Sequence, residues 1–145
     1  MSGPQWVVFS CDRRRFVVPL ERVREILTPQ PYTRLPGCGP EVCGLVGVRG
    51  RVITVLDLGV LLTTHPAITG ADHRILLVEQ GERLVGAAVD EVVAVAHAHT
   101  QPFLPGEPGL AGLQLRKEDV VGAGKVDGQP FVALNIDAIL GRVLA

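Results

Sequence analysis

The chain has 145 residues, of which 47% are hydrophobic and 20% are charged. A hydrophobic fraction this large excludes extended disorder, and the length allows one domain or two very small ones. The 14 basic and 15 acidic residues give a formal net charge of −1. That balance excludes nucleic acid as the main partner, because binding phosphates requires an excess of basic residues.

The cysteines and the apolar segments indicate a cellular setting. Cys11, Cys38 and Cys43 are an odd number and form no even disulfide framework, which favours a reducing, cytoplasmic environment. The N-terminal residues lack the charged and apolar regions of an export signal. The longest apolar stretch, residues 84–96, is interrupted by Asp90-Glu91 and predicts no membrane span. We therefore expect a cytoplasmic protein that does not insert into the membrane.

Short runs rich in valine, leucine and isoleucine dominate the sequence, with turn residues between them. Such β-branched runs predict an all-β fold, either a barrel or a sandwich. In chain order, they span residues 6–11, 15–20, 51–58, 74–80, 83–89, 92–96, 120–126 and 130–136.

Turn signals separate several of these runs. Residues 13–15 are three arginines at a predicted hairpin tip, where they are expected to serve solubility. Gly50 and Gly81 mark two further hairpins. Asp127 and Gly128 suit a type I′ turn, which requires positive φ at both central residues.

Helix signals are few. Residues 20–27 follow Pro19 and predict a helix of about two turns, which Pro29 ends. Residues 58–62 and 136–143 each predict a short helix after a strand. Two segments rich in turn residues, 63–72 and 102–112, are predicted to be linkers.

The sequence also repeats itself. Residues 6–26 align with 75–95 at a shift of 69, and residues 42–62 align with 120–140 at a shift of 78. Gly44 then matches Gly122, and Gly50 matches Gly128. Two ungapped matches in the same order favour a true repeat over chance similarity between valine-rich strands.

The repeat predicts two related, small β-barrels within one domain over residues 1–145. A first half over 6–62 and a second half over 74–143 are joined by a linker over 63–73. Neither half is large enough to be stable as a separate domain, so we expect the two halves to share a core. Which strands the halves exchange stays open at this point.

Motifs that support catalysis are missing from the sequence. Ser2 and Ser10 are the only serines, and neither lies in a nucleophile elbow. Gly44, Gly47 and Gly50 resemble a phosphate-binding loop in spacing, but they precede a hairpin and do not open a helix. We expect these glycines to permit bulges or close backbone approach. An enzyme is not predicted.

The carboxylates are predicted to have structural roles. Asp57 ends an apolar strand where a short helix begins, so it is expected to cap that helix. Asp90-Glu91 and Glu118-Asp119 are adjacent pairs whose side chains point to opposite faces of a strand, which excludes acid–base partnership. We expect them to be turn or solvent-face residues.

Histidines and cysteines allow an alternative function. His97 and His99 would share one face of a strand, as chelation requires, and the three cysteines are further candidate ligands. The spacing of a zinc site is lacking, because no second ligand pair follows. A barrel that senses a metal or a small molecule therefore remains an alternative to a protein-binding module.

Glu25 and Arg49 are the pair most strongly indicated as a functional site. Arg49 lies beside Gly50 in a hairpin with apolar neighbours, so its charge requires a partner. Glu25 lies in the predicted helix and has the carboxylate that suits a guanidinium. Breaking such a pair costs about 3–5 kcal/mol if it is buried and about 0–1 kcal/mol if it is exposed.

Four segments together resemble the CheW-like family, the coupling proteins of bacterial chemotaxis. VCGLVGVRGRVITVLDLGVLL (42–62) resembles the family's G-x-I-N-L-R-G core, and FVVPLERVREIL (16–27) its strand-plus-helix segment. LVGAAVDEVVAV (84–95) and VVGAGKVDGQPFVALNIDAIL (120–140) resemble its later segments. The four segments follow the family's order over nearly the whole chain.

The resemblance implies a fold and a function. The fold is two intertwined, five-stranded barrels that resemble SH3 domains. The function is a non-enzymatic cytoplasmic scaffold, without a cofactor, that links the cytoplasmic tips of methyl-accepting chemoreceptors to the regulatory domain of a histidine kinase. Members of the family place a glutamate against the arginine of the R-G turn, which motif matching assigns to Glu25 and Arg49.

The sequence departs from the family pattern at several positions. Gly47 replaces the usual asparagine, Val48 the usual leucine and Thr54 the usual proline, and the usual aspartate of the closing segment is either Asn135 or Asp137. We place the functional surface around Val48, Arg49, Gly50 and Arg51, with Glu25 behind it. Gly44, Asp57, Asp90 and Gly128 are expected to be turn or cap residues.

Overall fold

A computed structural model describes residues 3–68, 72–102 and 112–144. Short strands make up most of this part of the chain, with two short α-helices and two 3-10 turns at Leu20–Arg22 and Lys117–Asp119. The helices are α1 (Leu58–Thr63) and α2 (Ile136–Leu144). The strands are β1 (Gln5–Cys11), β2 (Arg14–Pro19), β3 (Val23–Leu27), β4 (Val42–Val48), β5 (Arg51–Asp57), β6 (Arg74–Gln80), β7 (Arg83–Val89), β8 (Glu91–His97), β9 (Val120–Val126) and β10 (Gln129–Leu134).

The strands form two five-stranded sheets with the same internal order. One sheet runs β8-β1-β2-β10-β9 and the other β3-β6-β7-β5-β4. The sequence repeat maps β1 and β2 onto β6 and β7, β8 onto β3, and β9 and β10 onto β4 and β5, so the two orders are identical. The predicted all-β fold of two related five-stranded units is confirmed.

Each sheet takes strands from both halves of the sequence. The first sheet, here called the terminal barrel, joins β1 and β2 near the N-terminus to β8, β9 and β10 near the C-terminus. The second sheet, the central barrel, consists of β3 to β7 and therefore comes from one continuous stretch of chain. The boundary between the sequence repeats consequently falls inside the central barrel, between β5 and β6.

Both barrels close in the same way. After β3 the chain continues to Thr33, which exchanges backbone hydrogen bonds of 2.9 and 2.8 Å with Leu45 on β4. After β8 it continues to Gln101, which exchanges bonds of 2.7 and 2.8 Å with Ala123 on β9. These bridges connect the two edges of each sheet, which removes the unpaired edges that invite aggregation.

Glycine is required where each bridge crosses its strand. A Cβ atom on Gly44 would lie 2.5 Å from the Thr33 carbonyl oxygen, and one on Gly122 would lie 2.5 Å from the Gln101 carbonyl oxygen. The prediction that Gly44 permits close backbone approach is thus confirmed. Gly47 differs, because nothing lies within 4 Å of the position of its Cβ.

One core is shared by the two barrels, as the repeat predicted. It is built from the faces of the central strands that meet between the barrels and from the apolar sides of α1 and α2, and each fully buried leucine or phenylalanine in it stabilises the fold by about 1.5–3 kcal/mol. Its largest members are Phe9, Phe16, Leu56, Leu58, Leu62, Leu76, Leu134, Ile139 and Leu140. Two smaller clusters fill the barrel interiors, around Ile53, Ile75 and Leu77 in one and Trp6, Val17 and Phe131 in the other.

The helix predicted over residues 20–27 is wrong. Only Leu20–Arg22 turn, as a 3-10 helix, and Val23–Leu27 form strand β3. Exposure alternates along β3, and the strand pairs antiparallel with β6, with Leu27 opposite Ile75. Pairing with a buried strand outweighs local helix propensity here, as tertiary context often does. The predicted helices that become α1 and α2 are confirmed.

The hairpin turns agree with the sequence. Asp127 and Gly128 have φ of 51° and 77°, as the type I′ prediction requires. The turn between β1 and β2 has the same character, with φ of 51° at Asp12 and 65° at Arg13. Asp90, in the bend between β7 and β8, accepts a 2.8 Å hydrogen bond from the Asp12 amide, and partial burial raises its pKa.

Asp119 lies in the 3-10 turn Lys117–Asp119, in agreement with one of the two predicted positions, but it does not face solvent. Its side chain is completely buried, and the Arg142 guanidinium of α2 donates bonds of 2.7 and 2.8 Å to its two oxygens. Burial alone would raise its pKa, but these bonds and one from the Arg116 amide hold the pKa below the usual carboxyl range. The pair fixes α2 to the start of β9.

Candidate protein-docking surface

The β4–β5 hairpin presents a two-residue turn at the end of the central barrel. Val48 pairs with Arg51, which leaves Arg49 and Gly50 as the central residues of the turn. Their φ angles are 47° and 79°, the left-handed pair that a type I′ turn needs. Arg49, Gly50 and Arg51 are exposed, whereas Val48 is half-buried against the interior of the barrel. The turn therefore projects its charged residues from an apolar base.

Glu25 and Arg49 form an ion pair, as predicted. Arg49 donates from Nη1 to Glu25 Oε1 at 2.7 Å, and Nη2 contacts the same oxygen. Glu25 lies on β3, so the pair connects the edge strand β3 to the turn that follows the other edge strand, β4. The pair is exposed, at 65% for Arg49 and 36% for Glu25. Its contribution to stability is therefore about 0–1 kcal/mol.

Two exposed apolar side chains are close to this pair in the sequence and were not predicted as site residues. Ile26 follows Glu25 and is 41% exposed, since it faces away from the barrel interior that Leu27 enters. Val52 follows Arg51 and is 73% exposed. Its neighbour across the hairpin is Gly47, which leaves the space beside it open. The period-two pattern of β5, with Ile53 inward, is the signal that identifies Val52 as outward-facing.

We call this surface the docking rim. It combines an acidic and two basic side chains with exposed aliphatic groups, on a backbone held by a tight turn. Such a composition fits a protein partner better than a small ligand, because small ligands bind in enclosed and mostly apolar pockets. The docking rim consists of Glu25, Ile26, Val48, Arg49, Gly50, Arg51 and Val52.

Asp57 lies at the end of β5 that is remote from the turn and fixes the start of α1. Its buried carboxylate accepts a hydrogen bond from the Val60 amide at 3.2 Å, which confirms the predicted cap of α1. It also accepts from the Ala67 amide at 3.0 and 3.1 Å, which fixes the chain that follows the helix. The repeat places Asn135 at the same position, and Asn135 caps α2 through the Ala138 amide at 3.3 Å. Asn135, not Asp137, is therefore the counterpart of Asp57.

The histidines and cysteines show no arrangement for a metal. His97 is the last residue of β8, and its Nδ1 lies 3.0 Å from the Gly3 carbonyl oxygen. Cys11 and Cys43 are buried, and burial raises the pKa of both thiols, that of Cys43 to about 12. In the described ranges, no three His, Cys, Asp or Glu side chains converge as ligands.

The sequence and structural comparisons identify the family. The model of the CheW-like domain matches residues 5–144, nearly the whole chain. This chain belongs to the CheW-like family. Its fold agrees with that of a crystal structure of the scaffolding protein TtCheW from Thermoanaerobacter tengcongensis, with a TM-score of 0.82, 22% identity and coverage of 94% of this chain and 92% of the other.

Curated relatives support the same assignment. Protein PilI of Pseudomonas aeruginosa is 36% identical over 107 residues, which cover 73% of this chain and 60% of the relative. Chemotaxis protein CheW of Bacillus subtilis is 30% identical over 98 residues, which cover 68% of this chain and 63% of the relative. The matched part thus spans less than two thirds of each of these two relatives.

The two α-helices in the described part of this CheW-like chain are short, with six and nine residues. Within the described part of the chain, no helix has the length and hydropathy that crossing a bilayer requires.

Proposed function

We propose that this chain is a non-enzymatic adaptor that couples chemoreceptors to a chemotaxis-type histidine kinase. The observation that carries the proposal is the match to the CheW-like domain over residues 5–144. One relative is named a chemotaxis protein, and the structural neighbour is named a scaffolding protein. The proposed partners are the regulatory domain of the kinase and the cytoplasmic tip of a methyl-accepting chemoreceptor, and the adaptor works without a cofactor on the cytoplasmic side of the membrane.

The docking rim is the proposed contact with the kinase regulatory domain. Exposed Val52 and Ile26 supply apolar area, which drives association when it is removed from water. Arg49 and Arg51 supply charges that set orientation and the rate of encounter more than affinity. Glu25 pairs with Arg49 across the gap between the edge strands, which favours one orientation of the guanidinium for the partner to meet.

Rigid geometry is the contribution that an adaptor makes to signalling. The shared core and the buried Asp119–Arg142 pair hold the two barrels and α2 as one body. A body of this kind fixes the spacing of two partners that bind to different faces. Individual contacts of this size are weak, and arrays of many adaptors gain affinity through multivalency.

Calorimetry with the kinase regulatory domain encoded in the same genome tests the proposal. We expect saturable heat with the wild-type chain and a loss of at least about tenfold in affinity for Val52→Asp, since burying a new carboxylate at an interface is unfavourable. Val121→Asp is the matched control, because Val121 is a strand valine of the terminal barrel that is 55% exposed.

Two results would contradict the proposal at different levels. No detectable heat and no co-elution at high micromolar concentration would remove the coupling role. If Val121→Asp weakens binding and Val52→Asp does not, the adaptor role is retained, but the contact lies on the terminal barrel.

A further inference from the structure

A basic pocket lies at the end of the terminal barrel, away from the docking rim. The β1–β2 turn contributes Arg13, Arg14 and Arg15, and the β9–β10 hairpin contributes Lys125 and Phe131. The volume of this open pocket is about 1120 Å³. The arginines were expected to serve solubility alone, but the fold gathers them around a concave surface together with a lysine that is distant in the sequence. We call this surface the arginine pocket.

Among the described residues that line the arginine pocket, none is an aspartate or a glutamate that would neutralise its charges. Asp12, in the same turn, is directed elsewhere, with its carboxylate 3.2 Å from His65 Nδ1. Across residues 3–68, 72–102 and 112–144, no ion pair involves the side chains of Arg13, Arg14, Arg15 or Lys125. Four cations held together without counter-charges repel each other and attract anions.

Arg14 supplies a second, independent observation. Its Nη1 is buried and has no hydrogen-bond acceptor in the described part of the chain. A guanidinium nitrogen removed from water without an acceptor is unfavourable, and charged donors pay more than neutral ones. Because Nη1 is not accessible to solvent, an anion in the pocket reaches it only when the Arg14 side chain turns outward, and that movement would also release Nη1 from burial. The turned guanidinium would then offer its planar geometry to a carboxylate or phosphate.

The central barrel shows that the fold does not require this cluster. The repeat places Glu82, Arg83 and Leu84 where the three arginines stand, and Gly47 where Lys125 stands. Glu82 and Arg83 cancel in formal charge, but Arg51 stands where Gln129 lines the pocket, so the equivalent positions of that barrel carry one excess cation. The accumulation of four cations is therefore found in the terminal barrel and not at the equivalent positions of the central barrel.

We propose that the arginine pocket binds a small organic polyanion, a molecule with several phosphate or carboxylate groups. Its volume lies slightly above the usual range for small-ligand pockets and exceeds what one inorganic phosphate fills. Apolar groups of Leu113, Pro130 and Phe131 line it beside the cations, so the ligand carries an apolar part as well as charge. This site is separate from the proposed contact with the kinase.

Calorimetric titration of the full chain with ATP, pyrophosphate and citrate, at fixed ionic strength, tests the proposal. We expect saturable one-to-one binding of at least one of these probes. Arg14→Gln should weaken it by about tenfold or more, because a charge-assisted, bidentate contact is lost. Arg83→Gln, at the equivalent position of the central barrel, removes the same charge and should leave binding unchanged. The difference in affinity between ATP and pyrophosphate measures what the nucleoside part of the ligand contributes. The affinity for citrate shows whether the pocket recognises carboxylates as well as phosphates.

The outcomes decide the proposal in either direction. Lys125→Gln is a second variant, and a thermal melt of each variant verifies that it folds. Saturable binding that Arg14→Gln or Lys125→Gln weakens and Arg83→Gln does not supports the pocket. Failure of all three probes at millimolar concentration overturns it, as does equal weakening by Arg83→Gln. Binding of a glutamate-rich peptide in place of the probes overturns it in favour of a protein partner.

Discussion

The two barrels share one strand order and differ in their charged residues. The central barrel has the Glu25–Arg49 pair between its edge strands, and the repeat places Ala94 and Asp127 at those positions in the terminal barrel. The terminal barrel has the arginine pocket, which the central barrel lacks. Backbone closure and the shared core are common to both, so these set the fold. The charged side chains at the barrel ends do not determine the fold, and it is in these side chains that the two barrels differ.

Closure of the barrels gives the largest expected effect. Gly44→Ala should destabilise the protein by about 2–4 kcal/mol, since the new Cβ meets the Thr33 carbonyl and the residue has φ of 139°. Gly122→Ala should cost about 1–3 kcal/mol through the equivalent clash alone. Gly47→Ala is the control, because its Cβ would meet nothing. Urea unfolding measures all three, and equal midpoints for Gly44→Ala and Gly47→Ala would refute the role assigned to the crossing.

The buried ion pair of the second repeat gives the next largest effect. Asp119→Ala should reduce the free energy of unfolding by about 2–3 kcal/mol, less than a fully buried pair, because Arg142 is 27% exposed and can be hydrated. Glu41 is the counterpart in the first repeat, and Glu41→Ala should cost less than about 0.5 kcal/mol. Similar losses for the two variants in chemical denaturation would show that the repeats are not asymmetric here.

Asp119 also makes stability depend on pH. A carboxyl whose pKa is lowered in the folded state stabilises the fold above its unfolded value of about 3.9, and this contribution is lost as the pH falls through the folded value. The difference in stability between the wild type and Asp119→Ala should therefore be largest near neutral pH and shrink below about pH 4. Denaturation at several pH values measures it, and a difference that grows on acidification would contradict the assignment.

One helix cap gives an effect on stability as large as that of the buried ion pair, and the other gives a smaller effect. Asp57→Ala should cost about 2–3 kcal/mol, because the Val60 and Ala67 amides both lose their acceptor in a buried setting. Asn135→Ala removes one longer bond and should cost about 0.5–1 kcal/mol. Thermal unfolding separates the two variants, and a greater loss for Asn135→Ala would reverse the ranking.

The exposed pair gives the smallest effect on stability. A double-mutant cycle with Glu25→Gln and Arg49→Gln should give a coupling of about 0–1 kcal/mol that decreases with salt. The reciprocal experiment introduces Ala94→Glu and Asp127→Arg in the terminal barrel. We expect the coupling energy of this new pair to be about 0–1 kcal/mol as well. A coupling energy above about 2 kcal/mol for Glu25 and Arg49 would mean that the pair mainly stabilises the fold. It would then no longer support the docking rim as a contact surface.

Periodicity and the repeat predicted much of the fold. The turns at Gly50 and Gly128 follow from local backbone chemistry, and the cap by Asp57 from its position between strand and helix. The helix predicted over residues 20–27 failed because β3 is set by pairing with β6, about fifty residues away in the sequence. A local pattern does not contain that information.

The candidate sites were predictable to different degrees. The Glu25–Arg49 pair followed from the need of Arg49 for a partner, together with the family resemblance, but its exposure depends on the barrel end where it lies. The burial of Asp119 was missed because its partner is on α2, 23 residues further along the chain. The arginine pocket requires Lys125 to fold back beside residues 13–15, which no sequence spacing indicates.

The division of strands between the barrels has a consequence during synthesis on the ribosome. The central barrel is encoded by one continuous stretch, β3 to β7, so it can close before the remaining strands have emerged. β1 and β2 are made before the central barrel and pair with each other, but their outer neighbours β8 and β10 follow only after it. The β1–β2 hairpin must therefore wait for these strands, and until they arrive its apolar side chains stay exposed to chaperones on the nascent chain.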